Sequence, residues 1–161
     1  MFTTRKIQTQ RRKRSLTKGF LAGTVGGLAG AAAKAAAEAV YPPRTQGQIP
    51  PPAVLVNRIS DRPLSEAEEE ASVQVIHWGF GALVGGVYGA AAEYMPAVTG
   101  RLGASFGLTV CGITHAATLP LMGLTEKPED QPLRESGSEV VTHAIYGVTT
   151  EVVRRLTRKI L

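Results

Sequence analysis

"GFLAGTVGGLAGAAAKAAAEAVYPPR", residues 19–44, consists largely of Gly and Ala and then sets Lys34 and Glu38 inside its apolar part. The stretch can be read as a membrane span, a soluble helix or a signal peptide. It has the ~20 residues that a helix needs to cross a bilayer. The prolines of "YPPRTQGQIPPP" (41–52) then stop it, because a proline ring cannot continue a helix.

The rest of the chain favours the membrane reading. Its 161 residues suit one domain, and its net charge is +5. Polarity comes in blocks. Residues 1–18 hold seven Lys/Arg and no acid, residues 154–159 hold four more, and residues 61–70 hold five acids with one Arg. Such blocking is typical of membrane proteins. The basic residues flank apolar segments and accompany no nucleic-acid-binding motif, so nucleic acid is not expected as a partner. Cys111 is the single cysteine, which excludes an intramolecular disulfide and a Cys-rich metal site.

Four apolar segments stand out, at roughly 19–41, 73–95, 102–124 and 139–157. None is strongly hydrophobic, so each needs neighbours to shield its polar groups. The predicted fold is all-α: a compact polytopic bundle of four transmembrane helices forming one domain over 19–161, behind a basic tail at 1–18. The external loops are predicted at 42–72 and 125–138. Residues 44–64 read as an extended loop. Ser65 with Glu68 reads as a capping box for the second helix, and Ser136 with Glu139 as a second capping box.

The basic termini against the acidic loops place both termini in the cytoplasm of a bacterial inner membrane by the positive-inside rule. Four spans also require the termini to share a side. Three rival readings exist. Residues 1–39 contain a basic n-region, an apolar core and an A-x-A site, as a signal peptide would, and "RRKR" resembles a twin-Arg signal. The core is too Gly-rich and weak for that, and three spans would follow it. A soluble Ala-rich bundle is the second rival. A two-span protein with the first and fourth segments on the surface is the third.

Gly19, Gly23 and Gly27 recur every four residues, as do Gly81, Gly85 and Gly89, and Gly103 with Gly107. In water each glycine costs a helix about 1 kcal/mol against Ala. In lipid, stripes of small residues let two backbones approach closely. Glycine-zipper packing among the first three helices is expected, and the same stripes would suit a homo-oligomer or a larger membrane complex.

The charged groups have a depth pattern. At ~1.5 Å per residue, Lys34 lies about 22 Å from Gly19, in the outer half of its helix, and His115 lies about 20 Å from Leu102. His77, Glu139 and His143 also fall at the outer ends of their helices. Lys34, Glu38, His77, His115, Glu139 and His143 should therefore form one outer polar layer. Three readings are open: a hydrogen-bonded layer that fixes register, with Glu139 as a cap; a proton- or ion-responsive site; or a metal site from His77, His115 and His143 with a carboxylate. No HExxH-type spacing supports the last. A second layer, of Glu93, Arg101, Glu151, Arg154 and Arg155, is expected as snorkelling ion pairs at the cytoplasmic interface. No GxSxG, Walker or dinucleotide motif is present, so neither catalysis nor a cofactor is expected.

"TLPLMGLTEKP" (118–128), then "SEVVTHAIYGVTTEVVRR" (138–155), closely resembles the C-terminal half of the YagU family of bacterial inner-membrane proteins. Upstream, "KAAAEAVYPPR" (34–44) resembles that family's Lys-x-x-x-Glu segment ending in Pro-Pro-Arg. His77, Tyr88, Glu93, and His115 ahead of Pro120 also fall at the family's separations. The resemblance covers about 20–161 and implies a multi-span helical membrane protein without an assigned activity. The expected function is a small inner-membrane protein of structural or stress-related role, with lipid around it and an outer layer for protons or ions. The alternatives are a transporter or channel component and, more distantly, a membrane-embedded metalloenzyme.

Overall fold

Ser15 starts the first helix by accepting a hydrogen bond from the Lys18 backbone N–H, and the chain then stays helical until the prolines at 42 and 43. In the computed structural model, residues 13–44 and 48–161 are described. Most of the basic tail expected at 1–18, and part of the loop expected at 42–72, lie outside the described residues. The elements are α1 (Leu16–Val40), α2 (Pro51–Ile59), α3 (Glu66–Ala92), α4 (Ala104–Ile113), α5 (Leu119–Leu121) and α6 (Leu133–Ile160). A 3₁₀ stretch, Pro96–Gly103, leads into α4, and a π-helical turn, Thr114–Thr118, joins α4 to α5. The described residues are helices and connections, with no strand.

Three helical stretches are long and apolar enough to cross a membrane: Leu16–Val40, Glu66–Ala92 and Pro96–Leu121. These apolar helices point to a multi-pass membrane protein. α6 has the length but not the apolar composition, so the fourth expected span is not among them. Its polar residues point inward. Ser138, Glu139, Thr142, His143, Thr150, Glu151 and Arg154 are buried, while Val140, Val141, Val152, Leu156 and Ile160 are exposed. A helix of a water-soluble protein would show the opposite arrangement.

Two expectations about helix starts fare differently. The Ser65–Glu68 capping box forms in full. The Ser136–Glu139 box does not, because Pro132 starts α6 one turn earlier and both residues become interior. Ser138 instead donates to the Tyr41 carbonyl at 2.5 Å, tying the end of α1 to α6. The loop read as extended to residue 64 contains α2. Its two leading prolines occupy the first turn, where a missing N–H costs nothing.

α1 packs against α3 on one side and α6 on the other, and α4 packs on α6. The contacts are glycine-mediated. A Cβ placed on Gly19 would lie 2.6 Å from the Gly89 carbonyl oxygen, and one on Gly85 would lie 2.6 Å from Gly27 Cα. Gly23 meets Gly85 and Gly89 in the same way, and Gly27 meets Gly81, so α1 and α3 run antiparallel with their backbones in contact. Gly103 and Gly107 face Gly147 and the backbone of His143 on α6, and Gly26 faces Thr150. Gly103 and Gly107 thus pack on α6 rather than among the first three helices as expected, and their partner Gly147 was not among the glycines singled out in the sequence.

Candidate functional site

Glu139 is the hub of the polar residues near the α1–α2 loop. Its position on α6 points it at the end of α1 and at the π turn, and the residue is only 5% exposed. Lys34 Nζ lies 3.6 Å from Oε2, and Arg44 donates to Oε1 from 3.3 Å. His115 Nδ1 lies 3.4 Å from Oε1, and His143 Nδ1 lies 3.4 Å from Oε2. Lys34 also pairs with Glu38 one turn along α1.

Each group owes its place to local structure. Lys34 and Glu38 are four residues apart, so they share a face of α1. The Pro42–Pro43 stop turns the chain so that Arg44 reaches over the helix ends. The π turn carries one residue more per turn than an α-helix and re-aims His115 toward α6. Such turns occur often at functional sites. His143 Nδ1 donates to the Glu139 carbonyl at 2.7 Å, since a carbonyl can only accept. That leaves its Nε2 lone pair available. The two imidazoles meet edge to face, with centroids 4.9 Å apart.

Five of the six residues expected in the outer layer converge here: Lys34, Glu38, His115, Glu139 and His143. His77 does not. Its ring lies edge-on against Trp78 on α3, and it enters none of the contacts around Glu139. The three-histidine metal reading therefore gives way to a set of two histidines and Glu139. Arg44 joins the layer, although it was not counted in it. The one hint was its place directly after the helix-stopping prolines, six residues beyond Glu38.

Two cavities reach the layer. A cavity of about 480 Å³ reaches Glu139 and His115 from the loop end, bordered by Pro43, Arg44, Leu124 and Gln131. A second, of about 260 Å³, reaches the same two residues between α4 and α6, along Cys111 and Val140.

The other end of the helices holds a second network. Glu151 is 0% exposed and accepts from Arg154 at 2.7 and 2.9 Å, from Arg155 at 2.5 Å and from the Tyr88 hydroxyl at 2.7 Å. Arg158 reaches across to Glu93 at 2.7 Å, and Glu93 also accepts from the Ser15 N–H at 3.0 Å. The expected snorkelling pairs are thus corrected: Glu151 and Arg154 are interior, covered by Tyr88 of α3. Arg101 makes no ion pair among the described residues and sits in the left-handed turn at φ 52°. Arg158 and Tyr88 were missed as members. Arg158 follows Glu151 and Arg154 at the seven- and four-residue spacing of one helix face.

Between the two networks lies an aromatic layer. Tyr88 stacks on Phe106 with centroids 4.0 Å apart, Phe106 meets Tyr146 at 5.8 Å, and the Tyr146 hydroxyl donates to the Gly81 carbonyl at 2.9 Å.

Residues 28–152 match the family described as "Protein of unknown function (DUF1440)". The matched span contains every residue of the Glu139 cluster. No curated protein and no solved structure matches the chain.

Proposed function

The chain belongs to this family of unknown function, and we propose that it is a small four-span membrane protein whose Glu139 centre takes up protons or small ions from the loop side without passing them on. The observation that carries this reading is the pair of cavities that reach Glu139 and His115, one from the loop end and one between α4 and α6. Below them, the Tyr88–Phe106–Tyr146 layer separates that centre from the Glu151 network. A site with an entrance and a packed floor suits binding or sensing better than conduction.

The fourth span is α6. Its inward polar face and outward valines and leucines suit a helix shielded by three others in lipid. The Gly19/23/27 and Gly81/85/89 contacts supply the close packing of a glycine zipper, which suits association without a hydrophobic driving force. The basic ends and acidic loops favour the bacterial inner membrane with both termini cytoplasmic, and the loop-end cavity then opens outward. The "PLMGLT" and Pro-Pro-Arg segments support the YagU likeness within the same family reading. We infer a non-enzymatic role, structural or stress-related, with the lipid bilayer as its immediate partner.

A transporter component is the competing reading, and a flux measurement separates the two. Purified protein in liposomes loaded with a pH-sensitive or ion-sensitive dye is expected to pass no more protons or ions than protein-free liposomes. Flux that scales with the amount of protein and disappears in Glu139→Gln would establish conduction instead.

A further inference from the structure

We propose that His115, Glu139 and His143 form a binding site for one divalent cation of the Zn²⁺ type, resting on the reading of the Glu139 centre as an open ion site. One nitrogen from each imidazole and one carboxylate oxygen lie within 4.8 Å of one another. A tetrahedral Zn²⁺ with bonds of about 2.0–2.1 Å holds neighbouring ligand atoms about 3.3–3.4 Å apart. The His115 Nδ1 to Glu139 Oε1 separation is 3.4 Å, which is that spacing. One ligand pair already stands at the spacing that the metal demands, and His143 completes the set within 4.8 Å.

Glu139 is also under-satisfied. Charge-assisted hydrogen bonds to a carboxylate normally close to about 2.7–2.9 Å. Here the cations and imidazoles surround the group at 3.3–3.6 Å. Oε2 is buried without a hydrogen-bond partner among the described residues. A carboxylate on a residue only 5% exposed to solvent ordinarily finds tight partners, because an unmet one is costly. The ring of loose contacts leaves the room that an ion would take up.

The chemistry of the donors narrows the ion. Two imidazoles and one carboxylate suit borderline metals such as Zn²⁺ rather than Mg²⁺ or Ca²⁺, which take oxygen ligands. The His143 Nδ1–H to Glu139 carbonyl bond fixes the ring as a second-shell partner does at metal sites, and leaves Nε2 to coordinate. His115 and Glu139 line both cavities, so water or an anionic ligand could reach a metal held there. The cationic neighbours do not close the site. Lys34 has Glu38 as its own partner, and Arg44 comes from the loop, where it can swing aside or hold an anion on the metal.

The test is titration of the purified full-length protein in detergent micelles with Zn²⁺ against a chromophoric chelator, and with Co²⁺ read by its visible absorption. One Zn²⁺ per chain is expected, with the strong visible bands of a tetrahedral Co²⁺ centre. His115→Gln and His143→Gln are each expected to weaken binding by about tenfold or more, the lower end of what loss of an outer-shell partner alone does. His77→Gln is expected to bind as the unaltered protein does. Helical circular dichroism on each variant separates loss of ligand from loss of fold. Absence of stoichiometric binding, or binding retained in the His115→Gln/His143→Gln double variant, overturns the metal site. The flux result and the access of water to Glu139 are unaffected by that failure, so the open-site reading is judged separately.

Discussion

Gly85→Ala is expected to destabilise the folded chain by about 1–3 kcal/mol, the usual cost of forcing a methyl group into a filled interior. Gly79→Ala, on the same helix, is expected to cost nothing. The added Cβ at position 85 would lie 2.6 Å from both the Gly23 carbonyl oxygen and Gly27 Cα. Both are backbone atoms of a neighbouring helix and cannot rotate away, so α1 and α3 must separate along their length. At position 79 an added Cβ meets nothing within 4 Å. The two substitutions bring the same gain in helix propensity, about 1 kcal/mol in water, so their difference isolates packing. Unfolding of the two variants in micelles by increasing sodium dodecyl sulfate, followed by circular dichroism, reads that difference. Equal midpoints would mean that the α1–α3 glycine contacts do not hold the helices together. Gly85→Val should be worse still, since its branches have even less room.

Glu151→Ala is expected to cost about 3–5 kcal/mol, the cost of stranding a buried charge, and to prevent a stable fold in many conditions. Glu151 is 0% exposed and binds three partners, of which Arg154 is itself 8% exposed. Removing the carboxylate leaves the Arg154 guanidinium inside the protein with no counter-charge and deprives the Tyr88 hydroxyl of its acceptor. Glu151→Leu combined with Arg154→Met removes both charges, and buried pairs replaced in this way are often tolerated. The double variant is therefore expected to be markedly more stable than Glu151→Ala alone. A single variant as stable as the parent chain would show that the network is solvated, contrary to its burial.

Most of the secondary structure could be read from local chemistry. Ser65 and Glu68 announce the start of α3, and Pro42 and Pro43 the end of α1, because capping and ring closure act over three or four residues. Long-range packing was less legible. The segment at 139–157 reads as a fourth span, whereas α6 is too polar by composition to stand among the apolar helices, and its buried face of Glu139, His143 and Glu151 cannot be read from composition. Ser136 and Glu139 read as a cap because the residue that does start the helix, Pro132, lies just outside that pattern. α2 was hidden by its prolines, which break a helix in its middle but not in its first turn.

The candidate site was partly visible. Depth along the helices brought Lys34, Glu38, His115, Glu139 and His143 to one level, since rise per residue is a fixed quantity. Rotation about each helix axis was not available from depth alone. His77 sits at the right level and faces Trp78, while the π turn at Thr114–Thr118 rotates His115 toward Glu139. Arg44 entered from a loop, where neither depth nor face can be reckoned.

In the proposed reading the Glu139 centre opens at the loop end and is closed beneath. Single cysteines placed at His115→Cys and Thr150→Cys, each with Cys111→Ala, test it in oriented membrane vesicles with a charged, membrane-impermeant thiol reagent. His115 lines both cavities, whereas Thr150 lies deeper and is 0% exposed. Rapid modification of the His115→Cys protein from the loop side is expected, and none of the Thr150→Cys protein until it is denatured. Equal rates at the two positions, or modification of His115→Cys only from the opposite side, would contradict it.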